Sequence, residues 1–264
     1  MSARAVTLFS GSSGNSLFVE SDGTSLLVDA GVCCRSIESA LAAIDADPRR
    51  LSGILVTHEH SDHVAGVGVM MRRYRTPLYV NKETWRIMSR SIGKVDPQLI
   101  NFITLANTIK LGEIEFSSFR TPHDAVQSVG YRIETSSGAV SVMTDIGTMT
   151  EQLQNAVAGS SVMFIESNYD PLMLEHGAYP RHLKSRITSD HGHLSNDDCG
   201  KAIANLARLG TVRFVLSHLS KENNYPALAY DTVSRRLQEF GIDARRDLEI
   251  QVARRQTPGD LIYL

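Results

Sequence analysis

The 264-residue sequence lacks several features that point to particular classes of protein. It has no apolar run of membrane-spanning length and no charged and then apolar leader, so we expect a cytoplasmic protein that does not enter a membrane. Its 3 cysteines, two of them adjacent at Cys33 and Cys34, are too few for a disulfide framework and lack zinc-site spacing. The formal net charge of -2 excludes a uniformly basic surface, so contact with a polyanion requires local clusters of Arg and Lys.

Strand-like and helix-like runs follow one another along the whole chain. The strand signals "AVTLF", "SLFVES" and "TSLLVDAG" are joined by Gly, Ser and Asp-Gly turns, which predicts a meander near the N-terminus. Helical spacing marks "SIESALAAIDAD", "VAGVGVMMRRYR", "SNDDCGKAIANLARLG" and "DTVSRRLQEF". Because strands come in runs with helices between them, we expect mixed sheets covered by helices. No linker or short-period repeat divides the chain, which predicts one domain over residues 1–264.

The most informative stretch is "HEHSDH", which directly follows the apolar strand signal "GILVT". Residues two apart in an extended segment face the same way, so His58 and His60 can point at one ion. The turn that follows presents Asp62 and His63 to a second ion. Clustered imidazoles are costly to desolvate together without a metal, so this pattern indicates a metal centre.

Three further candidate ligands stand where strand signals end. His123 follows "FSSFRTP", Asp145 closes "AVSVMTD", and His218 closes "RFVLSH". Each one alone is more often a surface or core residue than a ligand. Together with "HEHSDH" they supply enough His and Asp side chains for two metal ions bridged by a carboxylate and a hydroxide. This ligand chemistry suits zinc, and manganese is the alternative for phosphodiester hydrolysis.

The order of these motifs resembles the metallo-β-lactamase superfamily of binuclear hydrolases. The resemblance covers essentially the whole chain and implies an α+β fold, a four-layer αβ/βα sandwich of two mixed β-sheets flanked by helices. It implies that Asp29, which ends "LLVD", holds the "HEHSDH" loop from outside the ligand set. It also implies two metal sites, one on His58, His60 and His123, the other on Asp62, His63 and His218, with Asp145 bridging them.

Further motifs are similar to one branch of that superfamily. "FIESNYD", which contains Glu166, and "SDHGHLSN", which contains His193, resemble the nucleic-acid-processing members related to RNase J and the β-CASP nucleases. The segment between Asp145 and His218 is too short for a full β-CASP domain. With "SGSSGNS" near the start and "LSHLSKENN" near the end, the chain resembles the compact YycJ/WalJ-type metallohydrolases, described as 5′-to-3′ DNA exonucleases.

The resemblance implies a metal-dependent phosphodiesterase that acts on DNA in repair and uses a hydroxide bridging two divalent ions. The diiron, oxygen-reducing branch carries an acidic residue where His60 stands, which favours hydrolysis over redox chemistry. Asp62, Glu166 and His193 are the catalytic candidates, with His193 holding a phosphate oxygen or protonating the leaving group and Glu166 orienting a neighbour. The alternative for His193 is a loop histidine that caps the helix beginning near Ser195.

Substrate contacts are expected first from a basic loop, "PRHLKSR", where Arg181, Lys184 and Arg186 would bind a nucleic-acid backbone. In "SGSSGNS", glycines permit unusual backbone conformations, and Ser13 and Asn15 can donate hydrogen bonds to an anion. A flexible linker and a tight structural turn are the alternatives for this stretch. The remaining expected contacts are Ser195, Lys221 and Asn223, and packing is the alternative for the last two.

Two other functions fit the same residues. A small-molecule hydrolase that cleaves a thioester, a lactone or a cyclic phosphodiester would use the same metals. A regulatory or nucleic-acid-binding protein would carry metals with a structural role only. We expect DNA as the substrate, whereas the native metal, the direction of cleavage and the oligomeric state stay open.

Overall fold

The computed structural model describes residues 3–264, which build two mixed β-sheets of seven strands each. The first sheet contains β1 (Arg4–Phe9), β2 (Ser16–Ser21), β3 (Thr24–Val28), β4 (Gly53–Leu55), β5 (Leu78–Val80) and β6 (Ile100–Phe102). The second contains β7 (Ile109–Leu111), β8 (Ile114–Arg120), β9 (Val129–Thr135), β10 (Gly138–Met143), β11 (Val162–Glu166), β12 (Arg213–Ser217) and β13 (Glu249–Val252). The last strand, β14 (Ile262–Tyr263), returns to the first sheet beside β1.

Each sheet joins an antiparallel part to a parallel part. The first sheet has the order β14-β1-β2-β3-β4-β5-β6 and becomes parallel from β3 onward. The second has the order β13-β12-β11-β10-β9-β8-β7 and is parallel between β10 and β13. Parallel neighbours need crossover connections, which explains why helices follow β3 and β10 but not the earlier strands. Strands such as β11, covered on both faces, read as unbroken apolar runs.

Helices cover the outer face of each sheet. On the first half lie α1 (Cys34–Ala42), α2 (Ser61–Val64), α3 (Val67–Tyr74) and α4 (Lys82–Met88). On the second half lie α5 (Glu151–Val157), α6 (Pro171–His176), α7 (Arg181–Ile187), α8 (Asn196–Arg208) and α9 (Pro226–Glu239). In the described part of the chain, no helix has both the length and the apolar character needed to cross a membrane.

Three apolar clusters separate the four layers. Leu26, Phe116 and Tyr131 belong to the cluster between the two sheets. A second cluster lies beneath α1 and α3, and a third lies beneath α8 and α9. The layers therefore run helix, sheet, sheet, helix, which confirms the predicted αβ/βα sandwich.

The expected helix over "VAGVGVMMRRYR" is confirmed as α3, although it begins only at Val67. One local prediction was wrong. The basic segment "PRHLKSR" was expected to be an irregular loop, but it forms α7. Leu183 and Ile187, one helical turn apart, pack into a small satellite cluster and stabilise that helix.

Candidate metal centre

Strands from both sheets end at one site and deliver the predicted ligands to it. The loop after β4 and the first turn of α2 carry the histidines of "HEHSDH", while Asp145 follows β10 and His218 directly follows β12. Asp29, Asp145 and His218 all adopt the left-handed backbone conformation, with φ of 61°, 57° and 57°. This conformation costs a non-glycine residue about 1–2 kcal/mol. Such strain is concentrated at functional sites, and here it turns each side chain away from its strand and into the cluster.

The first group of ligand atoms comes from three histidines. His58, His60 and His123 each bring a ring nitrogen to within 4.8 Å of the other two. His58 Nε2 and His60 Nδ1 are 3.0 Å apart in the loop before α2. His58 and His123 are buried, whereas His60 is only half-buried at the mouth of the site.

The second group contains Asp62, His63 and His218, whose ligand atoms also lie within 4.8 Å of one another. Asp62 Oδ2 is 3.6 Å from His63 Nε2 and 3.7 Å from His218 Nε2. Asp62 and His63 lie in the first turn of α2, which begins immediately after the extended loop. Because the backbone changes from loop to helix within "HEHSDH", His58 and His60 belong to one ligand group, and Asp62 and His63 belong to the other.

Asp145 lies between these two groups. Its Oδ2 is 3.2 Å from His63 Nε2, and its Oδ1 is 3.7 Å from His123 Nε2. Asp145 also forms a third compact group with His58 and His63. One carboxylate therefore reaches both ligand groups, which is the arrangement a bridging ligand requires.

Two features suit the cluster to divalent metal ions. One is its set of His and Asp side chains, and the other is a pair of buried polar atoms without a well-aligned hydrogen bond to any described residue. Asp145 Oδ2 and His218 Nε2 are buried and make no well-aligned hydrogen bond within residues 3–264, although Asp145 Oδ2 lies 3.2 Å from His63 Nε2. Buried polar atoms in native proteins are nearly always satisfied, so an unpaired pair at one site calls for a ligand. Imidazole and carboxylate donors at this density match zinc, and they are also compatible with manganese.

Burial and neighbouring charges set the protonation of these ligands. Burial holds the pKa of His58 well below its usual value, which favours the neutral imidazole that binds a metal. Burial disfavours the charged form of Asp145, but His218 and His63 outweigh it and hold the Asp145 pKa well below its usual value. In the same way, Asp145 and Asp62 overcome burial and raise the pKa of His218 to about 10. The protein thus gathers a proton-binding cluster, and a metal ion competes with protons for such a cluster.

Asp29 and Asn15 hold the ligand loop from behind. Asp29 Oδ2 lies 2.7 Å from His63 Nδ1, and Asp29 Oδ1 accepts a 2.8 Å hydrogen bond from the Thr57 amide. Asn15 donates its backbone amide to the Asp62 carbonyl oxygen at 2.8 Å. The Asn15 Oδ1 atom accepts a 2.9 Å hydrogen bond from the Gly11 amide, which closes the "SGSSGNS" turn. Contacts of this kind fix the orientation of metal-binding side chains.

Sequence comparison shows which family shares this arrangement. The family described as the beta-lactamase superfamily domain matches residues 24–219, a range that includes all seven predicted ligands. The chain belongs to this superfamily. Among solved structures of the fold, the metallo-beta-lactamase fold protein YhfI from Bacillus subtilis superposes with a TM-score of 0.75 at 14% identity and covers 100% of both chains.

Two bacterial proteins are similar to this chain over nearly its whole length. Exodeoxyribonuclease WalJ of Streptococcus pneumoniae is 40% identical over 245 residues, which cover 92% of this chain and 91% of that protein. Exodeoxyribonuclease YycJ of Bacillus anthracis is 36% identical over 257 residues and 97% of each chain. These similarities confirm the predicted resemblance to the compact YycJ/WalJ-type proteins.

Glu166 connects two histidines at the second-sheet side of the site. Its Oε1 lies 2.8 Å from His193 Nδ1 and 2.7 Å from His218 Nδ1, and its Oε2 accepts from the Ile146 amide at 2.9 Å. Burial opposes ionisation, but His193 and His218 lower the pKa of Glu166 to about 2. The carboxylate therefore orients both rings, and it leaves Nε2 of His193 without a role in this network.

The helix cap expected as an alternative role for His193 belongs to Ser195. Ser195 Oγ accepts a 3.1 Å hydrogen bond from the Asp198 amide at the start of α8. His193 instead lines the pocket of about 220 Å³ that opens over the ligand cluster. The further polar side chains of this pocket are Ser12, Asn168, Tyr179, Arg186 and Ser220.

Three of the expected substrate contacts are buried and do not line this pocket, namely Asn15, Ser195 and Asn223. Asn15 is 8% exposed, and its hydrogen bonds join the "SGSSGNS" turn to the "HEHSDH" segment. Ser195 is 3% exposed and caps a helix, and Asn223 is 1% exposed while its carbonyl oxygen accepts from the Asp170 amide at 2.9 Å. The Asn15 side chain lies against the metal ligands, with its Nδ2 3.0 Å from His63 Nε2, and Ser195 caps α8. The buried Nδ2 of Asn223 has no hydrogen-bond partner among residues 3–264. A substrate role for these three residues stays a prediction.

The exposed candidates for substrate contact differ in whether they line the pocket. Lys184 donates to the Glu175 carbonyl oxygen at 2.6 Å, and Ser13, Arg181 and Lys221 do not line the pocket. Arg186 lines the pocket and pairs with Asp124, with 3.1 Å between Nη2 and Oδ1. Sequence reasoning missed Ser12, although it stands beside Ser13 in "SGSSGNS", and it missed Tyr179, for which no pattern gave a signal.

Proposed function

We propose that this protein is a metal-dependent DNA exonuclease that removes nucleotides from the 5′ end. The observation that carries the proposal is the meeting of two His/Asp ligand groups at Asp145. It is supported by relatives named exodeoxyribonuclease that match 92% and 97% of the chain. The same names support DNA as the substrate.

We assign two divalent ions, zinc or manganese, to the site. One is assigned to His58, His60 and His123, the other to Asp62, His63 and His218, with Asp145 shared. When bound, such ions lower the pKa of a coordinated water molecule and neutralise negative charge on the phosphate.

The side chains around the ligands handle the phosphodiester. We assign His193 Nε2 to the leaving oxygen, which it holds and to which it gives a proton, while Glu166 fixes the ring through Nδ1. Arg186 and the hydroxyls of Ser12 and Ser220 are assigned to the phosphate oxygens, because all three line the pocket. A pocket of about 220 Å³ is smaller than the pockets that enclose whole small-molecule ligands, which span about 300–1,000 Å³. The size favours one phosphodiester group at the end of a strand.

Salt dependence tests this proposal against a small-molecule hydrolase. We expect the KM for single-stranded DNA to rise steeply with salt, because each phosphate contact releases counterions with a logarithmic slope of about 0.7. The hydrolysis of a small neutral ester would show no such slope. The measurement is the KM for 5′-phosphorylated DNA across a range of salt concentrations.

Two arginine variants test which arginine contacts a phosphate group of the DNA. Arg186→Ala should lower the slope of log KM against log salt concentration by the amount expected for about one phosphate contact, because Arg186 lines the pocket. Arg90→Ala removes an exposed arginine that lies outside the pocket and should leave the slope unchanged. Salt-independent KM values, or equal effects of the two variants, would contradict the assignment.

A further inference from the structure

A second cavity, of about 440 Å³, lies beside His123. It is formed by the end of β8, the loop at Leu105 and Ala106, the start of α5, and the loop that carries His191. Among the proposed metal ligands, His123 alone lines it. We propose that this cavity receives one unstacked nucleobase of the DNA strand, and that Arg120 holds the phosphate next to it. This inference rests on the proposed function and extends it to a nucleotide beyond the cleaved bond.

The walls of the cavity have the chemistry of a base site. Leu105, Phe119, Pro122 and Leu153 provide an apolar lining, and Phe119 is half-buried with an aromatic ring. Every nucleobase has a π-face that stacks on such a lining, so this contact does not depend on sequence. The exposed Gln152 amide at the rim offers both a donor and an acceptor to a base edge.

The charge of the cavity favours a polyanion. No Asp or Glu lines it among the residues that the structure describes, whereas Arg120 and His191 do. The Arg120 side chain is exposed, and no carboxylate between residues 3 and 264 pairs with it. Arg186, in contrast, pairs with Asp124. An unpaired guanidinium at the rim of an apolar cavity is suited to bind a phosphate group.

The position of the cavity fits the path of a strand that leaves the pocket. One short loop contributes His191 to the cavity and His193 to the pocket over the ligands. Residues two apart along a chain lie at most about 7 Å from each other. A strand with its scissile phosphate at His193 therefore reaches the cavity within one or two nucleotides.

The test is a set of 5′-phosphorylated single-stranded DNAs that share one sequence and differ in the position of a single abasic nucleotide. For the metal-loaded wild type, we expect the missing base to raise the KM about tenfold at one position within three nucleotides of the cleaved bond. At more distant positions the KM should change less than twofold. A KM that is equally insensitive at all positions would overturn the cavity assignment.

The Arg120→Ala variant provides a second test of the same subsite. It should raise the KM for intact DNA about tenfold, and the abasic nucleotide should then add little, because both changes weaken one subsite. Arg90→Ala, another exposed arginine without an ion pair among the described residues, is the control and should behave as wild type. Full additivity of the Arg120→Ala and abasic effects would count against a shared subsite. If no DNA is hydrolysed by the metal-loaded wild type, the proposed function fails; if hydrolysis proceeds without position dependence, only the cavity assignment fails.

Discussion

Asp145→Asn is expected to reduce DNA hydrolysis by about three orders of magnitude and to lower the metal content by at least one ion per chain. Asp145 reaches both ligand groups, at 3.2 Å from His63 and 3.7 Å from His123. An amide has the same shape but no charge, so it cannot balance two cations. Transition-state stabilisation by a metal ion is worth several kcal/mol, and each 1.4 kcal/mol is about tenfold in rate.

The control for this substitution is Asp190→Asn, which removes an exposed carboxylate that lies outside the ligand groups. It should leave both the metal content and kcat at the wild-type level. The measurements are metal analysis and DNA hydrolysis on the same samples, with circular dichroism to show that the fold is retained. Full metal content in Asp145→Asn, with less than a tenfold loss of activity, would exclude a bridging role.

His193→Ala is expected to lower kcat by about 10²- to 10³-fold while the bound metal stays at the wild-type level. His193 belongs to neither assigned ligand set, and its Nδ1 is held by Glu166, so its Nε2 is the atom with a role at the substrate. General acid catalysis by a positioned side chain contributes about 10²- to 10⁴-fold. The effect should therefore lie in kcat rather than in the KM.

A substrate with sulfur in place of the leaving oxygen separates proton donation from positioning. A thiolate leaves without a proton, so this substrate should restore most of the lost rate in His193→Ala. His182→Ala, an exposed histidine on α7 outside the pocket, is the control. If sulfur gives no rescue, His193 does not donate the proton; if the metal is lost, His193 belongs to the ligand set.

The ligand cluster could be predicted because its signals are local. "HEHSDH" concentrates four side chains in one stretch, and His123, Asp145 and His218 each follow a clear strand signal. The structure brings all seven side chains into overlapping groups. The left-handed backbone at Asp145 and His218 could not be predicted, because it follows from packing of both sheets rather than from the neighbouring residues.

The substrate contacts were harder to predict for a physical reason. A polar residue that holds a loop and one that faces a substrate can be of the same type, and only its position relative to the pocket distinguishes the two roles. Asn15 and Asn223 are buried and make backbone hydrogen bonds to residues far away in the chain, which a single sequence does not reveal. The short strands β6, β7, β13 and β14 were missed as well, because two to four residues carry little periodicity and pairing alone defines them.

The most direct test of the central claim is a time course on 5′-labelled and 3′-labelled DNA and RNA, with metal content determined on the same protein sample. We predict that the protein with two bound divalent ions releases the 5′ label first, as a mononucleotide. The 3′-labelled DNA strand should shorten progressively over the same period, and RNA should be cut much more slowly. DNA of both kinds that stays intact in the presence of fully metal-loaded protein would contradict the account.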